Sequence, residues 1–393
     1  MLFRELLTSE LNKQREEFTR FAQSQAGDLD YYIRKLARFG TKSYHEVFAI
    51  LDDCADCGAM PSEEMNLTED FSLAFRERWR NHEEARRWAF EVLKKRTTFA
   101  ADGSQLVFER ETSFRVGGIQ IGWFENPHDP AQGYEKNARF TIISPQDFGE
   151  EADTGRADSY VGERRFRAEI EKIEEFLDKK RGWQANGEPL PLAFYDNTLL
   201  LSVTEFQRNI TAQLVELARH SRDCKVPVVG YVDRSYARDL MTMLDSFEGE
   251  NVELVRSLDD VSILHAATLA NWGDRTPFCY SRRHGLDAFI DSLTGESLVG
   301  FVYLQTTSDN PPARLDVPSW IYEEGLLDEV VDTVRAECVI GLGYPYPLET
   351  ADQTAVITVR DREIFLQALQ GFAKENNLNL QVSRKAASKG RRR

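Results

Sequence analysis

Apolar residues recur at helical spacing from the start of the chain: Leu2, Phe3, Leu6, Leu7 and Leu11, continued by Phe18 and Phe21. The segment around Pro61 interrupts this pattern. Beyond it the spacing predicts one long helix from Leu67 to Arg96, with Phe71, Phe75, Trp79, Ala85, Trp88, Ala89, Val92 and Leu93 on one side and charges opposite. A stripe of this kind is a packing face. From Thr98 the period becomes that of strands: TTFAADGSQLVF, FRVGGIQIGWFEN and ARFTIISP follow one another as an expected antiparallel meander. A polar stretch then leads into the helix GERRFRAEIEKIEEFLDKKRG. Next come the strand PLAFYDNTLLLSV, a helix through FQRNITAQLVELARHS, the strand VPVVGYVD and the helix SYARDLMTMLDSF. That alternation implies parallel crossovers in one sheet. Apolar runs at SLVGFVYLQT, ECVIGLGYPYPL and TAVITV, and a helix at DREIFLQALQGFAKEN, complete the expected α/β domain.

With 393 residues, 41% of them hydrophobic, the chain can bury a substantial core. Its net charge is −16, although Arg384, Lys385, Lys389, Arg391, Arg392 and Arg393 crowd the last ten residues. An acidic body with a basic tail argues against coating nucleic acid with the whole surface and leaves room for local contact. No apolar stretch approaches the roughly 20 residues that span a bilayer, and the acidic N-terminal pattern does not suit an export signal, so a cytoplasmic location is expected. Five scattered cysteines make no disulfide framework. Cys54 and Cys57 form a C-x-x-C without a second pair or histidines to complete a zinc tetrahedron. No G-x-x-x-x-G-K-[ST] sequence is present, so any ATP-driven step needs a separate partner.

The chemistry lies in acids at the ends of apolar runs, above all Asp102 in FAADGSQ and Asp196 in AFYDNTLLL. A three-stranded meander followed by a helix and a further strand, with acids on the first strand, the helix and the later strand, is the arrangement of RNase H-like nucleases. The fold expected is therefore an RNase H-like mixed β-sheet core flanked by helices, with a helical N-terminal arm. The segments FAADGSQ, RRFRAEIE, AFYDNTLLL, VVGYVDRSYARDLM, ARLDVPSWI and GLGYPYPLETAD also resemble, in order and approximate spacing, the NurA nuclease family. The resemblance covers roughly Thr97 to Ala373. It implies domains at 1–96 (helical arm), 97–375 (nuclease) and 376–393 (basic tail).

Carried over by position, the resemblance places metal-binding carboxylates on Asp102, Glu169, Asp196 and Asp352, and the family tyrosine on Tyr344. Glu171 competes with Glu169, since residues two apart on a helix point in different directions. Two positions depart from the family pattern: Asn197 follows Asp196 where a glycine is usual, and Asp352 stands where the pattern ends in Ala-His. An aspartate can ligate a hard divalent ion but offers no imidazole. Two Mn2+ or Mg2+ ions about 4 Å apart would neutralise a phosphodiester, generate the nucleophile and stabilise the leaving oxygen. The resemblance further implies 5′-to-3′ DNA exonuclease and endonuclease activity in end resection and double-strand break repair, a homodimer, and a HerA-type hexameric ATPase as partner. The rival reading is a catalytically weak adaptor that binds that ATPase. Asp233 is expected to cap a helix. Arg314 and Asp316 either pair or touch DNA, and Arg164, Arg165, Arg167 and Arg282, Arg283, His284 are the basic clusters available for DNA.

Overall fold

The computed structural model describes residues 3–108, 111–148, 157–201, 208–249, 258–292, 294–381 and 383. In chain order its helices are α1 (Arg4–Lys13), α2 (Arg15–Gly40), α3 (Tyr44–Leu51), α4 (His82–Leu93), α5 (Ala157–Lys180), α6 (Arg208–Cys224), α7 (Asp239–Glu248), α8 (Asp260–Ala267), α9 (Ser319–Glu323), α10 (Leu327–Ile340), α11 (Tyr346–Ala355) and α12 (Val359–Glu375). Its strands are β1 (Gly58–Pro61), β2 (Thr98–Phe108), β3 (Val116–Asn126), β4 (Glu135–Ile143), β5 (Leu192–Tyr195), β6 (Val228–Val232), β7 (Cys279–Arg282), β8 (Val299–Leu304) and β9 (Ala313–Pro318). The chain forms two compact units, residues 1–78 with 232–319 and residues 79–231 with 320–393, a division that falls elsewhere than the expected boundary at 96/97. No helix among the described residues is long and apolar enough to cross a membrane. The basic residues from Arg384 onward lie outside the described residues.

In the unit of residues 79–231 and 320–393, β2, β3 and β4 form the expected antiparallel meander, with Asp102 opposite Gly122. β5 then pairs parallel with β2, and β6 parallel with β5. The resulting order β6-β5-β2-β3-β4 is that of an RNase H-like core. Side chains alternate across a strand, so neighbouring residues of β2 face opposite sides. A Cβ on Gly103 would collide with the Glu169 carboxylate of α5, whereas one on Gly122 would run into Thr354 and Ala355 of α11. The two helices thus cover opposite faces, with Asp102 on the α11 side. Phe99 of β2 stacks on Phe176 of α5 at 4.6 Å between ring centroids, and Ile170, Ile173 and Leu177 fill the same buried face.

The long helix expected over 67–96 is not formed. Helix α4 begins only at His82, where the Asn81 side chain accepts from the Glu84 amide at 3.0 Å. The preceding stretch is irregular: Phe71 has φ 62°, and Leu73 bridges to Arg275. The apolar stripe that suggested one helix serves two cores. Phe71 is buried in the unit of residues 1–78 and 232–319, while Ala89 and Leu93 pack with Ala336 of α10 in the other. The run ECVIGLGYPYPL likewise divides between the end of α10, a turn with Leu342 at φ 57°, and the start of α11.

The unit of residues 1–78 and 232–319 carries the antiparallel strands β1-β7-β8-β9. Short β1 and β7 gave no periodic signal. Tyr32, Leu36 and Phe39 of α2 join Leu240, Met241 and Leu244 of α7 and Phe301 and Tyr303 of β8 in one core. The later part of α2 is therefore no free arm. α1 and the start of α2 keep their apolar stripe exposed, with Leu6 at 66% and Phe18 at 58%. Arg314 is buried and pairs with Asp316 at 2.7 Å and Asp239 at 2.6 Å, which answers whether Arg314 and Asp316 pair or face DNA. The N-cap of α7 is Arg238, without a side-chain cap bond, so Asp233 does not cap it.

Candidate metal centre

Asp102 sits within β2, half-buried, and Glu169 is buried in the middle of α5, where glycine at 103 leaves room for its carboxylate. Asp196 follows the last residue of β5, and Asp352 lies on α11; both are exposed. The four carboxylates thus run from the core to the surface. Burial pushes the Asp102 carboxyl up to about 6, and the charges of Asp196 and Asp352 push the same way, against the Gly103 amide and Arg165. Burial, with the charges of Asp102 and Asp196, pushes Glu169 up to about 8 against the pull of Arg165. Tyr195, beside Asp196, is held well above its ordinary range by burial and by the same acids.

Two contacts hold this charge in place. Arg165, one helical turn before Glu169, pairs with it at 2.5 Å and donates to the Gly103 carbonyl at 3.0 Å. The Tyr344 hydroxyl donates to Asp196 at 2.6 Å, and the Tyr344 ring meets Tyr231 edge-on at 5.1 Å. The turn that carries Tyr344 is tight: a Cβ on Gly341 would strike the Tyr344 carbonyl.

All the sequence-derived candidates, Asp102, Glu169, Asp196, Tyr344 and Asp352, share this neighbourhood. Glu171 points elsewhere, exposed and paired with Arg167 at 2.8 Å. Arg165, read from sequence only as one member of a basic cluster, is the cation of the site; its i,i+4 spacing to Glu169 was the available signal. Arg164 and Arg167 instead line a cavity of about 360 Å³ with Arg139, Lys172, Glu171 and Trp123. There Lys172 lies over the Trp123 ring at 4.0 Å. In the other basic cluster Arg282 pairs with Glu296, Arg283 with Asp239 and His284 with Asp56.

The donor set is all oxygen, the chemistry of Mg2+, Mn2+ or Ca2+ rather than of softer ions. Pushed-up carboxyls around one guanidinium are also what excess negative charge produces, and a divalent cation would relieve it. The acids therefore fit a hard divalent ion. They form an open cluster coupled through charge: among the described residues, the group whose ligand atoms all come within 4.8 Å of one another is a different one, Asp178, His220 and Cys224.

A family model described as the NurA domain matches residues 96–357. A crystal structure of NurA with manganese is 9% identical at a TM-score of 0.39, covering 70% of this chain and 89% of that chain. A second NurA crystal structure is 8% identical at a TM-score of 0.43, covering 71% and 89%. The catalytic domain of human endonuclease V is 14% identical at 0.32, covering 72% and 88%. No curated protein matches the chain.

Proposed function

The chain belongs to the NurA family, which supports a nuclease-type role, and we propose that it is a metal-dependent DNA nuclease whose centre is Asp102, Glu169, Asp196 and Asp352. The observation that carries this reading is the gathering of buried and exposed carboxylates in which burial first, and the charge of neighbouring acids second, raises Asp102 and Glu169. We propose two ions, Mn2+ or Mg2+. Bound there, they would supply positive charge against the phosphate and the leaving oxygen and make a water more acidic.

The chain's own residues prepare that chemistry. Arg165 fixes the Glu169 rotamer between its carboxylate and the Gly103 carbonyl. Tyr344 orients Asp196 by direct hydrogen bond. The exposed carboxylates open the site to a polyanion, while Glu169 stays dry. Arg139, Arg164, Arg167 and Lys172, on β4 and α5, suit the phosphates of a strand approaching that helix. Contact confined to such a groove suits a chain whose net charge is −16.

The finer reading is 5′-to-3′ exonuclease with endonuclease activity in double-strand break end resection. It also assigns the protein to the cytoplasm, as a homodimer with a HerA-type hexameric ATPase. Cleavage of end-labelled linear DNA by wild type and by Asp102→Asn, with and without Mn2+ or Mg2+, tests it. Metal-dependent degradation lost in the variant is expected. If both proteins stay inert even with the ATPase added, while still stimulating ATP hydrolysis, the adaptor reading replaces it.

A further inference from the structure

Helix α5 carries a second set of ligand-type side chains near its C-terminal end. Asp178 faces His220 and Cys224, which lie four residues apart on α6 and so project from one face of that helix. The Asp178 Oδ1 is 3.1 Å from His220 Nε2 and 3.7 Å from Cys224 Sγ, and all three ligand atoms come within 4.8 Å of one another. A tetrahedral ion with bonds of about 2.0–2.3 Å sets its ligands roughly 3.3–3.8 Å apart. The cluster is therefore close to the spacing such an ion requires.

From this geometry we propose a site for zinc, or another borderline-soft divalent ion, on the α5–α6 seam, with Asp178, His220 and Cys224 as its protein ligands and water in the fourth position. One carboxylate, one imidazole and one thiolate select such an ion over Mg2+. Asp178 is nine residues from Glu169, about 13 Å along the helix axis, which separates this site from the proposed nuclease centre. Arg181 lies 3.3 Å from Asp178 Oδ1; the second carboxylate oxygen remains available to it when Oδ1 turns to the ion. Burial, ahead of the charge of Asp178, pushes the Cys224 thiol up to about 11, so binding replaces the thiol proton with the metal and releases that proton to solvent. The ion would pin α6 against the helix that carries Glu169.

Titration of the metal-stripped full-length chain with Co2+ tests the site without reference to nuclease activity. Wild type and Asp102→Asn are both expected to develop a thiolate-to-cobalt charge-transfer band and the visible absorption of tetrahedral Co2+. One equivalent of Zn2+ should displace it and excess Mg2+ should not. Cys224→Ser should abolish the charge-transfer band. His220→Gln, a partly exposed replacement that tests the site should Cys224→Ser not fold, should weaken Co2+ binding at least 10-fold. A wild type without the band, a band that survives in Cys224→Ser, or one removed by Cys54→Ser would overturn the proposal. Failure of the nuclease reading would appear instead in DNA cleavage and leave these spectra unchanged.

Discussion

Replacing Glu169 by glutamine should stabilise the metal-free protein, an unusual direction for a buried position. The Glu169 carboxyl has an ordinary value of 4.5 and is pushed to about 8 in the folded protein, first by burial and then by Asp102 and Asp196. The folded chain therefore holds the proton more tightly than the unfolded one, and stability falls as pH rises from about 4.5 towards 8. The loss from this group is about 3 kcal/mol at pH 7 and below about 1 kcal/mol at pH 5. Glutamine keeps the shape and removes the titration, although Arg165 gives up its ion pair and retains the Gly103 carbonyl, which takes back part of the gain. Denaturation of metal-stripped wild type and Glu169→Gln should thus show a stabilisation that is clear at pH 7 to 8 and nearly absent at pH 5. Adding Mn2+ at about 100 times its Kd should raise the stability of wild type by about 2.7 kcal/mol and that of the variant by much less. A destabilisation of equal size at all pH values would refute the reasoning, because it would mean that Glu169 acts through packing alone.

Tyr344→Phe removes a charge-assisted bond to Asp196 and should lower DNA cleavage about 10-fold while leaving the fold intact, read as kcat against thermal midpoint. Gly103→Ala should displace the Glu169 carboxylate and weaken Mn2+ binding at least about 10-fold by calorimetry, because the added Cβ has no free space on that face. Arg314→Ala should cost about 3–5 kcal/mol in chemical denaturation by leaving Asp239 and Asp316 buried with less compensation, and Mn2+ affinity should not change.

The nuclease-like core was readable because its strands are regular and its acids stand in recognisable motifs, although Asp102 lies within β2 rather than at a turn. The period-2 segments became β2, β3 and β4, and the alternation after them became α5, β5, α6 and β6. The candidate carboxylates were legible as residue types in motifs, but their electrostatics were not. That Glu169 is buried beside Arg165 while Glu171 faces Arg167 depends on which side of α5 meets β2, which charge spacing alone does not reveal. The Phe71-to-Leu93 stripe misled because periodicity reports burial, and burial in two different cores mimics one helical face. Asp178, His220 and Cys224 escaped notice for a related reason: His220 and Cys224 share a helix, but their partner arrives from another element.

The interleaving of the two units bears on synthesis at the ribosome. Residues 1–78 wait for 232–319 before their common core can close, and the sheet of β2 to β6 receives α10, α11 and α12 only from residues 327–375. A chain growing at about 5–20 residues per second emerges with Asp102, Glu169 and Asp196 long before Asp352. A nascent chain would thus hold three of the proposed carboxylates without the fourth, and any nuclease activity would be withheld until α11 has been made.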